Sequence, residues 1–320
     1  MDYFWLIFGF VILILGGDFL VKGSVGLALK AKISKLVIGM TVVSFGTSSP
    51  ELLVSMGAAL EGGQKSFMSI GNVIGSNIAN IALVLGVTAL ICPLKVKNES
   101  LKQDWPVMFL STVLFVFFMR FFDKDQYSIN RWEGSFLFLL ILIFTIYMVH
   151  KSRKKIKNQS SNFENDKNQQ LLPLWKNTLF LLGGCLGLVF GSKWLLEAAI
   201  SVAASAGVSP FVIGVTVLAF GTSVPELAAS SIAAYKKQTD IAIGNIIGSN
   251  IFNILCVVGL TGSFVGMPLN KNVLEFDIYW LLGISFLVFP LMLLGGNINR
   301  WKGLILVLSY LTYLYFLLFK

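Results

Sequence analysis

Two glutamates carry the first chemical signal in this chain. Glu51 closes residues 37–51, VIGMTVVSFGTSSPE, and Glu226 closes residues 212–226, VIGVTVLAFGTSVPE. At helical spacing Thr47 and Ser48 share a face with Glu51, and Thr222 and Ser223 share one with Glu226. Downstream, IGNVIGSNIANI at 70–81 sets Ser76 and Asn80 one turn apart, and IGNIIGSNIFNI at 243–254 does the same for Ser249 and Asn253. Carboxylate, hydroxyl and amide oxygens are hard donors. Such a set suits Ca2+, Na+ and similar cations and disfavours Zn2+ or Cu2+. No Cys or His falls among these residues; the single His, His150, ends an apolar span beside a basic segment. Two glutamates balance one Ca2+, and the same oxygens can hold Na+ instead. Ions competing for shared ligands exclude one another, which is the physical basis of exchange.

These stretches are copies. Eleven of fifteen positions agree in the first pair and ten of twelve in the second, at offsets of 175 and 173 residues. The chain is therefore a tandem duplication. Pro50 and Pro225 cannot donate to the carbonyls of Gly46 and Gly221, so each copy predicts a broken helix. Broken backbone at membrane depth persists only where it is buried or lines a polar cavity. A plain proline kink would account for Pro and Gly, but not for the adjacent Thr, Ser and Glu. The bland roles for the second motif are close packing at Gly71, Gly75, Gly244 and Gly248, and interhelical hydrogen bonds at the asparagines.

The composition agrees with a membrane setting. The 320 residues are 56% hydrophobic and 13% charged, about half the charged share of a soluble domain. The expectation is an all-α integral membrane protein with ten transmembrane helices arranged as two inverted five-helix repeats. The spans are expected near 3–28, 36–60, 68–92, 104–122, 131–150, 175–201, 209–234, 240–265, 275–294 and 300–319. Residues 1–150 form the first repeat, 151–173 a polar linker, and 174–320 the second repeat. No cleaved signal peptide is expected. The net charge of +9 reflects topology rather than nucleic acid. With the linker cytoplasmic, seventeen basic residues fall inside and six outside, so both termini lie outside. Five spans per copy is odd, so the second copy enters from the opposite side. Inverted repeats are the architecture of many secondary transporters, with the site at the midplane. The three cysteines stand alone in apolar segments and predict neither disulfide nor metal spacing.

At these residues the chain resembles the cation/calcium exchanger superfamily and, within it, the prokaryotic-type sodium/calcium exchangers. GTSSPE at 46–51, GTSVPE at 221–226 and GSN-x-x-N at 75–80 and 248–253 carry the resemblance. It implies alternating access, with the first and sixth spans sliding as a gate. It implies ligands at Thr47, Ser48, Glu51, Ser76, Asn80, Thr222, Ser223, Glu226, Ser249 and Asn253, with backbone carbonyls near Ser44 and Ala219 flanking them. Some relatives, including potassium-dependent ones, carry Asp where this chain has Asn253. The resemblance thus implies K+-independent exchange, and three Na+ per Ca2+, hence electrogenic transport. Ca2+/H+ antiport is the alternative within the class; a cation channel and an intramembrane enzyme are the alternatives outside it. The implied partners are Ca2+, Na+ and the bilayer, with no cofactor and no nucleic acid. A monomer in a prokaryotic inner membrane is the expected setting. Asp18–Lys22 and Lys193–Glu197, repeated with signs reversed, predict local i, i+4 ion pairs.

Overall fold

The computed structural model describes residues 1–121, 128–158, 172–208, 219–268 and 276–319. Eight helices among them are long and apolar enough to cross a bilayer. They are α1 (Asp2–Ala31), α4 (Lys65–Ile91), α5 (Ser100–Arg120), α6 (Arg131–Asn158), α7 (Leu174–Ser205), α9 (Thr239–Phe264), α10 (Asp277–Gly296) and α11 (Arg300–Phe319). A bent pair, α2 (Lys35–Thr47) and α3 (Ser49–Glu61), meeting at 45°, is long and apolar enough only when its two helices are taken together, and makes a ninth if it is one span. The span expected at 209–234 lies partly outside the described residues. Its described part holds a short turn, Ala219–Gly221, and α8 (Val224–Tyr235).

Local chemistry sets the boundaries. The α2 helix starts at Ser34, whose hydroxyl accepts the Val37 amide at 3.2 Å. α3 and α8 both start with a proline in the first turn, where its missing N–H costs nothing. The fifth span ends later than the sequence reading placed it. Helix α6 runs through the basic stretch to Asn158 rather than stopping at 150. Lys and Arg are good helix formers, and cations are favoured at a helix C-terminus. Of the expected linker, 159–171 lies outside the described residues.

Packing follows the small residues. Helices α1 and α7 run antiparallel along a glycine seam. A Cβ on Gly16 would sit 2.8 Å from the Leu188 amide nitrogen, and one on Gly191 2.8 Å from that of Leu13. Only glycine allows this approach of two backbones. Helix α9 is the central column, its apolar window wholly buried. By contrast about a quarter of that window is buried in α6, α7 and α11. Gly244 and Gly248 press α9 onto Leu36 and Met40 of α2, as expected for close packing. Nothing in the described residues lies within 4 Å of a Cβ placed on Gly71 or Gly75.

Two small antiparallel strand pairs clasp the bundle. Leu94–Lys95 pairs with Asn297–Ile298, and Ser128–Ile129 pairs with Met267–Pro268. Each pair joins one half of the chain to the other. Beside the first pair, Lys97 meets Asp240 at 2.5 Å and Lys155 pairs with Glu99. The same end of the bundle holds the Ser34 amide on the Ser152 hydroxyl at 2.8 Å. The expected i, i+4 ion pairs form, Lys22–Asp18 at 2.6 Å and Lys193–Glu197 at 3.9 Å. Asp18 also takes Lys236, at the end of α8, which the sequence reading did not anticipate.

Candidate functional site

The break between α2 and α3 turns at Ser48 (φ −89, ψ 7), and the equivalent break turns at Ser223 (φ −88, ψ 3). Each leaves a carboxylate in the first turn of a new helix, Glu51 on α3 and Glu226 on α8. A helix N-terminus offers unpaired N–H groups and a positive dipole end, which stabilise such a charge. Both glutamates are fully buried.

Facing the breaks are α4 and α9. Each converts to a wider π-helical turn at its motif asparagine or the residue before it: Ala79–Val84 around Asn80, Asn253–Val258 at Asn253. Such turns disturb the backbone ladder and re-aim side chains, frequently at functional sites.

The two halves supply one another's contacts. Ser48 donates to Glu226 Oε1 at 2.8 Å. Thr47 Oγ1 donates to Asn245 Oδ1 at 3.1 Å and lies 3.5 Å from Ser249 Oγ. Thr222 Oγ1 lies 2.8 Å from Ser76 Oγ and 3.4 Å from Asn72 Oδ1. Asn253 Nδ2 donates to Asn77 Oδ1 at 3.0 Å, and Asn77 Nδ2 donates to the Asn250 carbonyl at 3.4 Å. Glu51 and Glu226 are close enough for their charges to interact.

What remains unpartnered is the informative part. Six buried oxygens at this centre have no hydrogen-bond partner among the described residues: both of Glu51, Glu226 Oε2, Ser223 Oγ, Asn80 Oδ1 and Asn253 Oδ1; Asn80 Nδ2 is likewise unpartnered there. Buried polar atoms are normally satisfied, so a cluster of unsatisfied acceptors asks for a positively charged occupant. Of the residues named at this centre, Glu51 and Glu226 are the two acidic ones. Among the described residues no cluster of three or more His, Cys, Asp or Glu occurs.

Of the residues singled out in the sequence, Thr47, Ser48, Glu226 and Ser249 meet around one break, and Ser76 meets Thr222 at the other. Glu51, Asn80 and Ser223 are buried, and their side-chain oxygens have no partner among the described residues. Ser44 turns its hydroxyl to the Met40 carbonyl at 2.7 Å, and its own carbonyl already accepts the Ser48 amide at 2.9 Å. Ala219 opens the short turn before Thr222. Sequence reasoning missed Asn72, Asn77, Asn245 and Asn250, and with them Ser55 and Ser230. The signal was present: each is identical to its counterpart in the other copy, at the same offsets.

The family model described as sodium/calcium exchanger protein matches residues 1–150 and 176–319, in two blocks as the duplication requires. The putative antiporter CaxA of Alkalimonas amylolytica is 35% identical over 98% of this chain and 97% of its own length. The sodium/calcium exchanger MaX1 of Methanosarcina acetivorans is 33% identical over the same shares. A structure of the sodium-calcium exchanger NCX_Mj, soaked with zero Na+ and Ca2+, superposes with a TM-score of 0.81 at 29% identity, covering 97% of each chain.

Proposed function

Because the chain belongs to the sodium/calcium exchanger protein family, we infer that it is an integral membrane antiporter exchanging Ca2+ for Na+. The observation that carries the site is the group of six unpartnered buried oxygens shared between the two halves. The ligands are Thr47, Ser48, Glu51, Ser76 and Asn80 from the first half, and Thr222, Ser223, Glu226, Ser249 and Asn253 from the second. The carbonyls of Ser44 and Ala219 flank them. Two carboxylates and neutral oxygens replace the hydration shell of a hard cation.

Ten helices in two inverted halves account for the repeat offsets. The reciprocal strand pairs support this: Leu94 pairs with Ile298 as Ile129 pairs with Met267. A cytoplasmic 151–173 segment puts both termini outside. In support, Lys97, Asp240, Lys155 and Glu99 form ion pairs at one end of the bundle, where the basic loops belong. Helices α1 and α7, joined along their glycine seam, move as one gating unit.

Exchange is electrogenic and independent of K+. One Ca2+ neutralises Glu51 and Glu226. Three Na+ leave one excess charge, which hydroxyl, amide and carbonyl dipoles must carry, since an uncompensated charge is costly at low dielectric. The test is 45Ca2+ uptake into proteoliposomes at a fixed Na+ gradient, without K+, with the membrane potential clamped at opposite signs. The expected result is Na+-driven uptake whose rate follows the potential. Indifference to voltage points to two Na+ per Ca2+, and an absolute need for K+ overturns the assignment of Asn253. Uptake driven only by a pH gradient replaces Na+ by H+.

A further inference from the structure

We propose that Asn72 and Ser55 are positioning residues for the ion centre. A one-way hydrogen-bond chain anchored on the Ser69 carbonyl holds the Thr222 and Ser76 hydroxyls with their oxygens, not their hydrogens, toward the cation. The proposal rests on the reading of Thr222 and Ser76 as ligands given above.

The direction of the chain follows from donor and acceptor capacity alone. A carbonyl oxygen only accepts. The Ser69 carbonyl accepts from Ser55 Oγ at 3.3 Å, which uses the one hydroxyl hydrogen of Ser55. Ser55 Oγ therefore acts as acceptor toward Asn72, whose Nδ2 lies 3.0 Å away. That fixes which end of the amide faces where, a choice that only the surrounding network can make. The other end, Asn72 Oδ1, faces Thr222 Oγ1 at 3.4 Å. An amide oxygen cannot donate, so Thr222 directs its single hydrogen to it. The 2.8 Å contact between Thr222 and Ser76 then has one solution, with Ser76 donating. Four bonds run one way, from Ser76 through Thr222, Asn72 and Ser55 to the Ser69 carbonyl. Both ligand hydroxyls have their hydrogens committed within the protein and keep lone pairs for the cation.

Two features make the chain rigid and non-accidental. Ser69 Oγ donates back to the Ser55 carbonyl at 2.8 Å, pinning α3 to α4 where the chain begins. The other half repeats the central links: Asn245 Nδ2 donates to Ser230 Oγ at 2.9 Å, and Asn245 Oδ1 accepts from Thr47 at 3.1 Å. The bond from the Ser69 hydroxyl has no counterpart there, because Ala242 stands at the matching position and carries no hydroxyl. Donors aligned before the ion arrives need not reorganise on binding. A hydroxyl free to rotate would have to turn its hydrogen away first.

The test is a double-mutant cycle on the full chain, read as Ca2+ Kd by titration calorimetry and as the half-saturating Ca2+ in proteoliposome uptake. Asn72→Leu keeps the volume and removes the acceptor. It is expected to raise Kd about tenfold, the low end for an outer-shell partner of a metal ligand. It should raise half-saturation more than it lowers the maximal rate. In a Thr222→Val background there is no hydroxyl to orient, so the same change should shift Kd by less than about twofold. Equal factors in both backgrounds, or no effect of Asn72→Leu alone, overturn the proposal. If Asn72→Leu does not fold, Ser55→Ala runs the same cycle with the same expected coupling to Thr222→Val. Glu51→Gln separates the two levels. Unchanged Ca2+ affinity in that variant removes the ion centre itself, whereas lost affinity there with additive Asn72 and Thr222 effects removes only the chain.

Discussion

Ser48 donates a 2.8 Å hydrogen bond to Glu226, 178 residues away and in the other copy of the repeat. Among the described residues the mirror pair, Ser223 and Glu51, makes no such bond, and their side-chain oxygens are buried without a partner there. Identical motifs thus hold their carboxylates differently. Among the described residues one glutamate is tied across the interface of the halves, and the other has no side-chain donor.

Glu51→Gln and Glu226→Gln should each abolish Ca2+ transport while the protein folds. The amide keeps the shape and removes half of the site's formal charge. A unit charge pair at ~4 Å is worth about 4 kcal/mol at an effective dielectric of ~20. That corresponds to roughly a thousandfold in affinity. Titration calorimetry with Ca2+ checks it; unchanged affinity in both variants would remove these residues from the site.

Asn253→Asp should lower Ca2+ exchange measured without K+ by at least about tenfold. Asn253 donates its amide hydrogen to Asn77 Oδ1 at 3.0 Å. A carboxylate there would face an acceptor with an acceptor, at about 1–3 kcal/mol, and would give the site a third negative charge. Added K+ should stimulate the variant and leave the parent protein unaffected. A variant as fast as the parent in the absence of K+ would refute the role given to Asn253.

Gly183 and Gly184 are neighbours with opposite expectations. A Cβ on Gly184 would collide with the Leu20 backbone of α1, while one on Gly183 meets nothing within 4 Å. Gly184→Ala should therefore destabilise the α1–α7 seam by about 1–3 kcal/mol, the usual cost of overpacking. Gly183→Ala should be neutral or mildly stabilising through helix propensity. Thermal unfolding in detergent compares them directly, and equal melting temperatures would refute the seam as a close backbone contact.

Lys22→Met and Glu197→Gln should leave the transport rate unchanged. Lys193 and Glu197 are each 64% exposed and 3.9 Å apart, and such surface pairs contribute little. Asp18→Asn should have the larger effect, since Asp18 also holds Lys236, just past the end of α8. Initial rates of Na+-driven uptake decide; a strong loss in Lys22→Met would give these pairs a role in helix sliding.

The repeated motifs, the apolar spans and the oxygen-only donor set were all legible in the sequence. Each is local: a bilayer demands a run of apolar residues, and a proline breaks the helix that contains it. Ser76 and Asn80 could be paired because helical spacing sets their faces, whereas the break at Ser48 separates Thr47 from Glu51 and leaves Thr47 on Asn245 and Ser249. Partnerships across the halves were not legible. Ser48 with Glu226, Asn77 with Asn253 and Thr222 with Asn72 depend on how two helix bundles dock, and no spacing along the chain encodes that. The roles of Asn72 and Asn245 stayed hidden because an asparagine in an apolar helix reads as a packing or hydrogen-bonding residue until its partner is known. The inequality of Glu51 and Glu226 among the described residues belongs to the tertiary structure: two nearly identical segments carry the same local information, and the donor that Ser48 gives Glu226 comes from the other half of the chain, where only docking can place it.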